Sequence, residues 1–398
     1  MNPFDAEEIR EFRAELRQFL SDHREQAPED TIITYRLDPR PYPQEVLDWQ
    51  KLLVENGYVH RTVPKDYGGF GADYDPIIDF VIDEEFLAAG LPRGLSDIGT
   101  HMFVPTLLAH GSDEQKRRWV RPSILGEIFW CQGYSEPEAG SDLASLRTRA
   151  AVEDDHYVIN GQKIWTSSAH IARMMFCLVR TEPEARKHAG ISYVMIPMDT
   201  PGIEVRPIPM ATGHASFNEV FFTDVRVPVA NTIGGRGNGW KVANSTLGHE
   251  RSMMSNGTLS CRRLGYIRSL LKRAGPQARG IETLTARYVA LQARVQALRA
   301  QELSLACGGT GANPLPGLVL KYVSCELNYD LDALAIDLLG KAASGNDLST
   351  RFDTDQVWHQ LLNYDLGMII GGGTAQIQKN IIAERGLGMP REPALPWG

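Results

Sequence analysis

The 398-residue sequence predicts an α+β fold, with helices over residues 1–125, a β domain over 126–233 and helices again over 234–398. Three observations carry that prediction. Apolar residues recur at helical spacing near the start. From about Gly126 they give way to short runs rich in β-branched and aromatic residues. After the glycine-rich stretch "IGGRGNGW" the helical texture returns and lasts to the end. This order argues against a Rossmann sheet, in which strands and helices alternate.

The elements follow in turn. Asp5 and Glu8 are spaced as a capping box, with Phe4 and Ile9 as a hydrophobic staple. Phe12, Leu16, Phe19 and Leu20 then line one helical face. A second helix follows Pro43, with Val46, Trp49, Leu52 and Leu53 on one side and Gly57 as its stop. "VPKDYGGFGADY" is a glycine-rich loop, and "PIIDFVIDEEFLAAG" is a mostly apolar, buried helix. "GEIFWCQGYSE", "SLRTRAAVE", "HYVINGQKIW", "RMMFCLVRT", "ISYVMIPM", "IEVRPI" and "NEVFFTDVRV" read as strands of an antiparallel domain. Asn160-Gly161 has the signature of a two-residue hairpin turn between "HYVI" and "QKIW".

Composition excludes several function classes. A net charge of −8 argues against a nucleic-acid footprint. The basic cluster Lys116-Arg117-Arg118 follows acidic residues and reads as a solvated helix face. The acidic start "MNPFDAEEIR" carries no apolar signal core, and no apolar run reaches the ~20 residues of a membrane span. The five cysteines include no CxxC pair, as expected of reduced thiols in a cytoplasmic protein.

The routine catalytic motifs fail on inspection. "GGRGNG" at 234–239 lacks dinucleotide-binding spacing and reads as a linker. His249-Glu250 begins like HExxH, but Met253 stands at the second histidine position. There is no GxSxG elbow and no Walker loop. His101 and His110 lie in an apolar stretch and read as structural or cleft-lining.

Three stretches are left. In "GYSEPEAGSDLASLRTRA", Gly140 lets the backbone approach a ligand, and Ser135 and Ser141 offer hydroxyls. In "GQKIWTSSAH", a large flat Trp165 followed by hydroxyls suits an aromatic cofactor, although periodicity alone makes it a core residue. In "MIIGGGTAQIQKNIIAER", three glycines precede a helix start at Thr374, as where a backbone closes on a ligand.

"YSEPEAGSD", "NGQKIWTSS", "NEVFFTDVRVP" and "GGTAQIQKNIIAER", in this order, resemble the acyl-CoA dehydrogenase family. The resemblance spans nearly the whole chain. It implies a helical N-domain, a middle β domain and a C-terminal four-helix bundle. It also implies FAD. By position, Gln132, Gly133, Tyr134 and Ser135 would line the flavin ring, with Gly140 and Ser141 near the phosphates and the thioester. Trp165, Thr166 and Ser167 would pack on the flavin, with Ser167 a hydrogen-bond partner for N5. Thr374 and Gln376 match positions that contact the adenosine or pyrophosphate.

The implied reaction removes an α-proton and a β-hydride from an acyl-CoA thioester, and the proton needs a positioned carboxylate. Many relatives carry that glutamate just before the Gly-Thr of the last loop, where this chain has Gly372. Isovaleryl- and long-chain-type members carry it instead on the first helix after the β domain, directly before an arginine. Glu250 and Arg251 of "STLGHERSMM" match that arrangement. The resemblance then makes Glu250 the base, with Arg251 and Ser141 toward the substrate and the Gly372 amide able to donate to the thioester oxygen.

The chain also departs from the family. It lacks the Arg-x-x-Phe-Gly and Gln-x-x-Gly-Gly stretches that reach a neighbouring subunit's FAD. Relatives lacking them resemble subunits that act on bulky substrates, including CoA thioesters of steroid side chains, some as α2β2 heteromers. The expected partners are an acyl-CoA, electron-transfer flavoprotein as acceptor, and either three further copies or a homologous chain. The alternatives are a non-catalytic or half-site subunit and a flavin oxidase or monooxygenase on the same fold.

Overall fold

The computed structural model describes residues 4, 6–29, 32–255, 257–308, 315–340 and 355–391. The chain divides into two compact units, Met1–Met253 and Met254–Gly398.

The first unit begins with helices α1 (Glu7–Asp22), α2 (Ile32–Leu37), α3 (Gln44–Glu55), α4 (Pro76–Ala89), α5 (Val104–His110) and α6 (Asp113–Ile124). Local signals set their ends. The Asp75 carboxylate accepts from the amides of Ile77 and Ile78, Pro76 opens α4, and Gly90 closes it at φ 66°. Ser112 and Gln115 form a reciprocal capping box on α6. Asp5 of the expected capping pair lies outside the described residues, and α1 is capped at Ala6 without a side-chain bond. The short α2 has no counterpart in the sequence reading.

The strands are β1 (Trp130–Gly133), β2 (Arg149–Glu153), β3 (His156–Ser167), β4 (Met174–Arg180), β5 (Ile191–Pro197), β6 (Ile203–Ile208), β7 (Phe217–Pro228) and β8 (Thr232–Ile233). They form one sheet in the order β6-β7-β3-β2-β4-β5-β8, with β1 paired to β4. The main ladder is antiparallel, while β1 and one residue of β2 pair with β4 in parallel.

Both faces of β4 and β5 are buried, which explains their unbroken apolar runs. Phe176, Leu178, Tyr193 and Met195 join the core that includes Leu16, Trp49, Phe86 and Phe103 of the helices. Met175, Cys177, Val194 and Ile196 face a second core with Tyr157, Ile159 and Val225.

The Asn160-Gly161 hairpin is not formed. β3 runs straight through it, and β2 turns into β3 at Asp154-Asp155, where Asp154 has φ 55°. Asn160 instead exchanges two 3.0 Å hydrogen bonds with Asp224 across the sheet. The pair marks a bulge between Ile159 and Gly161.

Helix α7 (Gly239–Met254) follows the sheet. The second unit contains α8 (Gly257–Ala274), α9 (Ile281–Ala306), α10 (Leu315–Leu339), α11 (Val357–Ile370) and α12 (Ala375–Ile381). Here α10 packs against α8, α9 and α11, giving the expected bundle of four long helices. Among the described residues no helix is long and apolar enough to cross a membrane.

Candidate active site

In the first unit the structure brings together residues that the sequence assigned to separate motifs. Gln132 sits near the end of β1, and its Nε2 donates to Oε2 of Glu250 at 3.3 Å. Glu250 is half-buried on α7. One turn earlier on α7, Thr246 Oγ1 lies 3.0 Å from Thr106 Oγ1 and 3.4 Å from the Tyr193 hydroxyl. Tyr134 is buried edge-on to Phe176 and Tyr193. Burial first, and then the nearby Tyr193 and Glu250, push the Tyr134 phenol well above its ordinary range, so it stays protonated. His249 is shifted down, by burial first and then by His110.

The 134–141 segment is mixed. Ser135 is half-buried, and its carbonyl accepts from the Ile164 amide at 2.9 Å. Gly133 is required by the strand itself, because a Cβ there would lie 2.5 Å from Met175 Sδ and 2.9 Å from Cys177 Sγ. Gly140 is different. It is exposed, and an added Cβ would meet nothing within 4 Å among the described residues, which do not explain the glycine. Ser141 is exposed beside it.

Trp165 is not a core residue. It is 57% exposed, although its ring makes an edge contact with Phe217. The ladder between β3 and β7 is irregular between Lys163 and Thr166, and Trp165 has φ 59°. A bulge with a left-handed residue re-aims the side chain off the strand. For a bulky residue that conformation is an outlier. Thr166 is buried, with its Oγ1 lacking a hydrogen-bond partner among the described residues. Ser167 is half-buried beside it.

In the second unit, Gly372 and Gly373 have φ 63° and 91°, conformations that favour glycine. Thr374 caps α12 by accepting from the Ile377 amide at 3.2 Å. Gln376 is exposed. Two residues absent from the sequence reading hold this loop. Lys321 Nζ donates to the Gly373 carbonyl at 2.9 Å, and Gln378 Nε2 donates to that of Gly372 at 3.0 Å. Both side chains are buried. Gln378 lies four residues beyond Thr374, a spacing that returns it to the loop, whereas nothing in the sequence links Lys321 to it.

These features fit FAD. Among the described residues, Trp165 offers an exposed aromatic face, Thr166 a buried hydroxyl without a hydrogen-bond partner and Gly140 open space where a side chain would stand. Glu250 places a carboxylate against Gln132, on the strand end that the resemblance assigns to the ring.

The N-terminal, middle and C-terminal domain families of acyl-CoA dehydrogenase match residues 6–127, 131–225 and 237–387. The acyl-CoA dehydrogenase IpdE1 of Mycobacterium tuberculosis (strain ATCC 25618 / H37Rv) is 37% identical over 97% of this chain and 99% of its own length. Mitochondrial isovaleryl-CoA dehydrogenase of Pongo abelii is 26% identical over 95% of this chain and 88% of its own. Among solved structures, the Tcur3481-Tcur3483 steroid ACAD matches with TM-score 0.79 and 28% identity, over 98% of this chain and 100% of that one. The ChsE4-ChsE5 complex from Mycobacterium tuberculosis matches with TM-score 0.78 and 29% identity, over the same shares.

Proposed function

The chain belongs to the acyl-CoA dehydrogenase family, and on that premise we propose that Glu250 is the base that takes the α-proton of its acyl-CoA substrate. Members of the family are FAD-dependent oxidoreductases acting on the CH–CH group of an acyl-CoA. The observation that carries the assignment is the 3.3 Å contact between Gln132 and Glu250. It sets the only carboxylate of the matched base motifs against the strand end read as flavin-lining. Gly372 occupies the family's other base position, and its φ of 63° suits glycine rather than glutamate.

In this reading Glu250 accepts the α-proton while Gln132 holds the carboxylate through Oε2. FAD, when bound, supplies the acceptor for the β-hydride. Trp165, Thr166 and Ser167 form the surface that receives the flavin, with Gln132, Gly133, Tyr134 and Ser135 along the ring. Gly140 and Ser141 serve the phosphate and thioester side, and Thr374 and Gln376 the adenosine end. Arg251 and Gly372 orient substrate. The product is the trans-2-enoyl-CoA. The proposed domain bounds are 1–125, 126–233 and 234–398, with α7 (Gly239–Met254) the first helix of the third although most of it groups with the first compact unit, and the proposed compartment is the cytoplasm.

A bulky or branched acyl group, such as a steroid side chain, is the proposed substrate. The likeness to the steroid ACAD supports it. A second reading, a half-site chain that pairs with a homologue, is favoured by the missing inter-subunit motifs and by the likeness to the ChsE4-ChsE5 complex. Electron-transfer flavoprotein is the proposed acceptor.

The test is Glu250→Gln, which keeps volume and hydrogen bonding but removes the base. General-base loss lowers rates by about 10²–10⁴-fold. Anaerobic flavin reduction by the cognate acyl-CoA should fall by at least that much while FAD binding persists. Near-wild-type reduction would eliminate Glu250.

A further inference from the structure

Two of the segments read as flavin-contacting lie on strands that do not pair. Residues 132–136 run through and past the end of β1, which pairs with β4, while 163–167 belong to β3, which pairs with β2 and β7. One main-chain bond links the segments, from the Ile164 amide to the Ser135 carbonyl at 2.9 Å, and a buried ion pair adds to it. Lys163 Nζ lies 2.7 Å from Glu136 Oε1, with the lysine side chain fully buried and the carboxylate nearly so. The ammonium also donates to the Tyr134 carbonyl at 3.2 Å. The carboxylate takes two backbone amides besides, Arg147 at 2.6 Å and Thr148 at 2.9 Å.

Burying an ion pair is costly unless its remaining hydrogen-bonding capacity is satisfied. This one is well satisfied. Burial alone would raise the Glu136 carboxyl, but the Lys163 charge and the hydrogen bonds hold it below the usual carboxylate range. A pair of apolar residues would fill the same space without that penalty. What the ions add is direction. Lys163 ties the Tyr134 carbonyl and the Glu136 side chain to the residue from which the Trp165 bulge departs. Trp165 lies two residues on, in a left-handed conformation that needs firm anchorage.

We propose that Glu136 and Lys163 are positioning residues for the flavin: their buried pair locks the 134–136 backbone to the Trp165 bulge, so that the cofactor meets a preformed surface. The role rests on the reading of Trp165 and Ser135 as flavin contacts. A surface organised before binding costs less to order on binding, and its loss appears as lost affinity.

The experiment titrates FAD into apoprotein and follows flavin fluorescence, with circular dichroism and thermal melts reporting the fold. Two variants are used. Glu136→Gln with Lys163→Met removes both charges and leaves an acceptor oxygen for one of the two amides, since Arg147 bonds Oε2 and Thr148 Oε1. Glu136→Asp keeps both charges, and with them the fold, but withdraws the carboxylate by one methylene. The expected result is folded protein whose FAD dissociation constant rises at least tenfold in the double variant and several-fold in Glu136→Asp. A purely structural pair would instead lower the melting temperature and leave the affinity of the folded protein unchanged. Either folded variant binding FAD within twofold of wild type overturns the positioning role. Wild-type protein that binds no FAD would overturn the site reading itself, a separate outcome.

Discussion

Gln132 and Glu250 are 118 residues apart in sequence and meet side chain to side chain at 3.3 Å, the amide of one donating to the carboxylate of the other. A donor on the charged form of a carboxylate favours that form. Removing it with Gln132→Leu should therefore move the acid limb of the flavin-reduction profile to higher pH. A hydrogen bond to a charged group contributes about 1.5–3 kcal/mol, equivalent to roughly 1–2 pH units, and this long contact belongs at the low end. Stopped-flow reduction between pH 5 and 9 checks it. An unmoved acid limb, in a variant that still binds FAD, would remove Gln132 from any role toward the base.

His60 should make the fold acid-sensitive. It is half-buried, its Nε2 is shielded from solvent and lacks a hydrogen-bond partner among the described residues, and its ring lies 5.8 Å from that of His101. Burial, with His101 and Arg93 adding to it, lowers its pKa from 6.5 to about 3. A base depressed in the folded state is protonated more readily in the unfolded chain. Its contribution is complete above about pH 6.5 and is lost as pH falls toward 3. At pH 5 the loss from this residue alone is about 2 kcal/mol. His60→Asn keeps a residue type that tolerates its φ of 47° and removes the titration. Urea midpoints at pH 7 and 5 should converge in that variant.

Much of this was legible in the sequence where a local rule governs. The helix start at Pro76, the apolar runs of β4 and β5, and the glycine stops all follow from capping chemistry and periodicity. The Asn160-Gly161 turn misled because cross-strand bonds to Asp224 outweigh local turn preference. The Glu136–Lys163 pair left a trace. Lys163 follows Tyr157 and Ile159 on the inward-facing alternation of β3, and an inward lysine demands an anion. Lys321 left none, because its partner is a backbone carbonyl from a segment far along the chain.

The helical core of the second unit holds Arg263 between two buried carboxyl groups. Arg263 Nε lies 3.1 Å from Asp332 Oδ1, and its Nη2 lies 2.9 Å from Asp365 Oδ2, with all three residues buried. Burial foremost raises the Asp332 carboxyl well above its ordinary range despite Arg263, and Asp365 raises it further. A carboxyl raised on folding contributes stability that is complete below its unfolded pKa and is lost as pH rises through its folded one. Because burial disfavours the charged form of Asp332, Asp332→Asn should cost under about 1 kcal/mol, with a flatter pH dependence. Arg263→Met strands a buried charge and should cost about 3–5 kcal/mol. Chemical denaturation of both variants separates the cases, and equal losses would refute the upward shift of Asp332.

Trp165 should reveal its strain through the order of two substitutions. At an ordinary strand position alanine is more stable than glycine by roughly 0.5–1 kcal/mol. At φ 59° a Cβ is penalised, by about 1–2 kcal/mol for a left-handed residue. Trp165→Gly should then be more stable than Trp165→Ala in the apoprotein, reversing the usual order. Both lose the same stacking face, so both should weaken FAD retention, to which a stacked aromatic contributes about 0.5–1.5 kcal/mol beyond area burial. Thermal melts of the two apoproteins measure the first effect and FAD titration the second. If alanine proves the more stable, the bulge has relaxed in the variants and stores no strain at Trp165. If both variants retain FAD as wild type does, the exposed indole does not stack on the cofactor, and the surface around Thr166 and Ser167 must hold it without that ring.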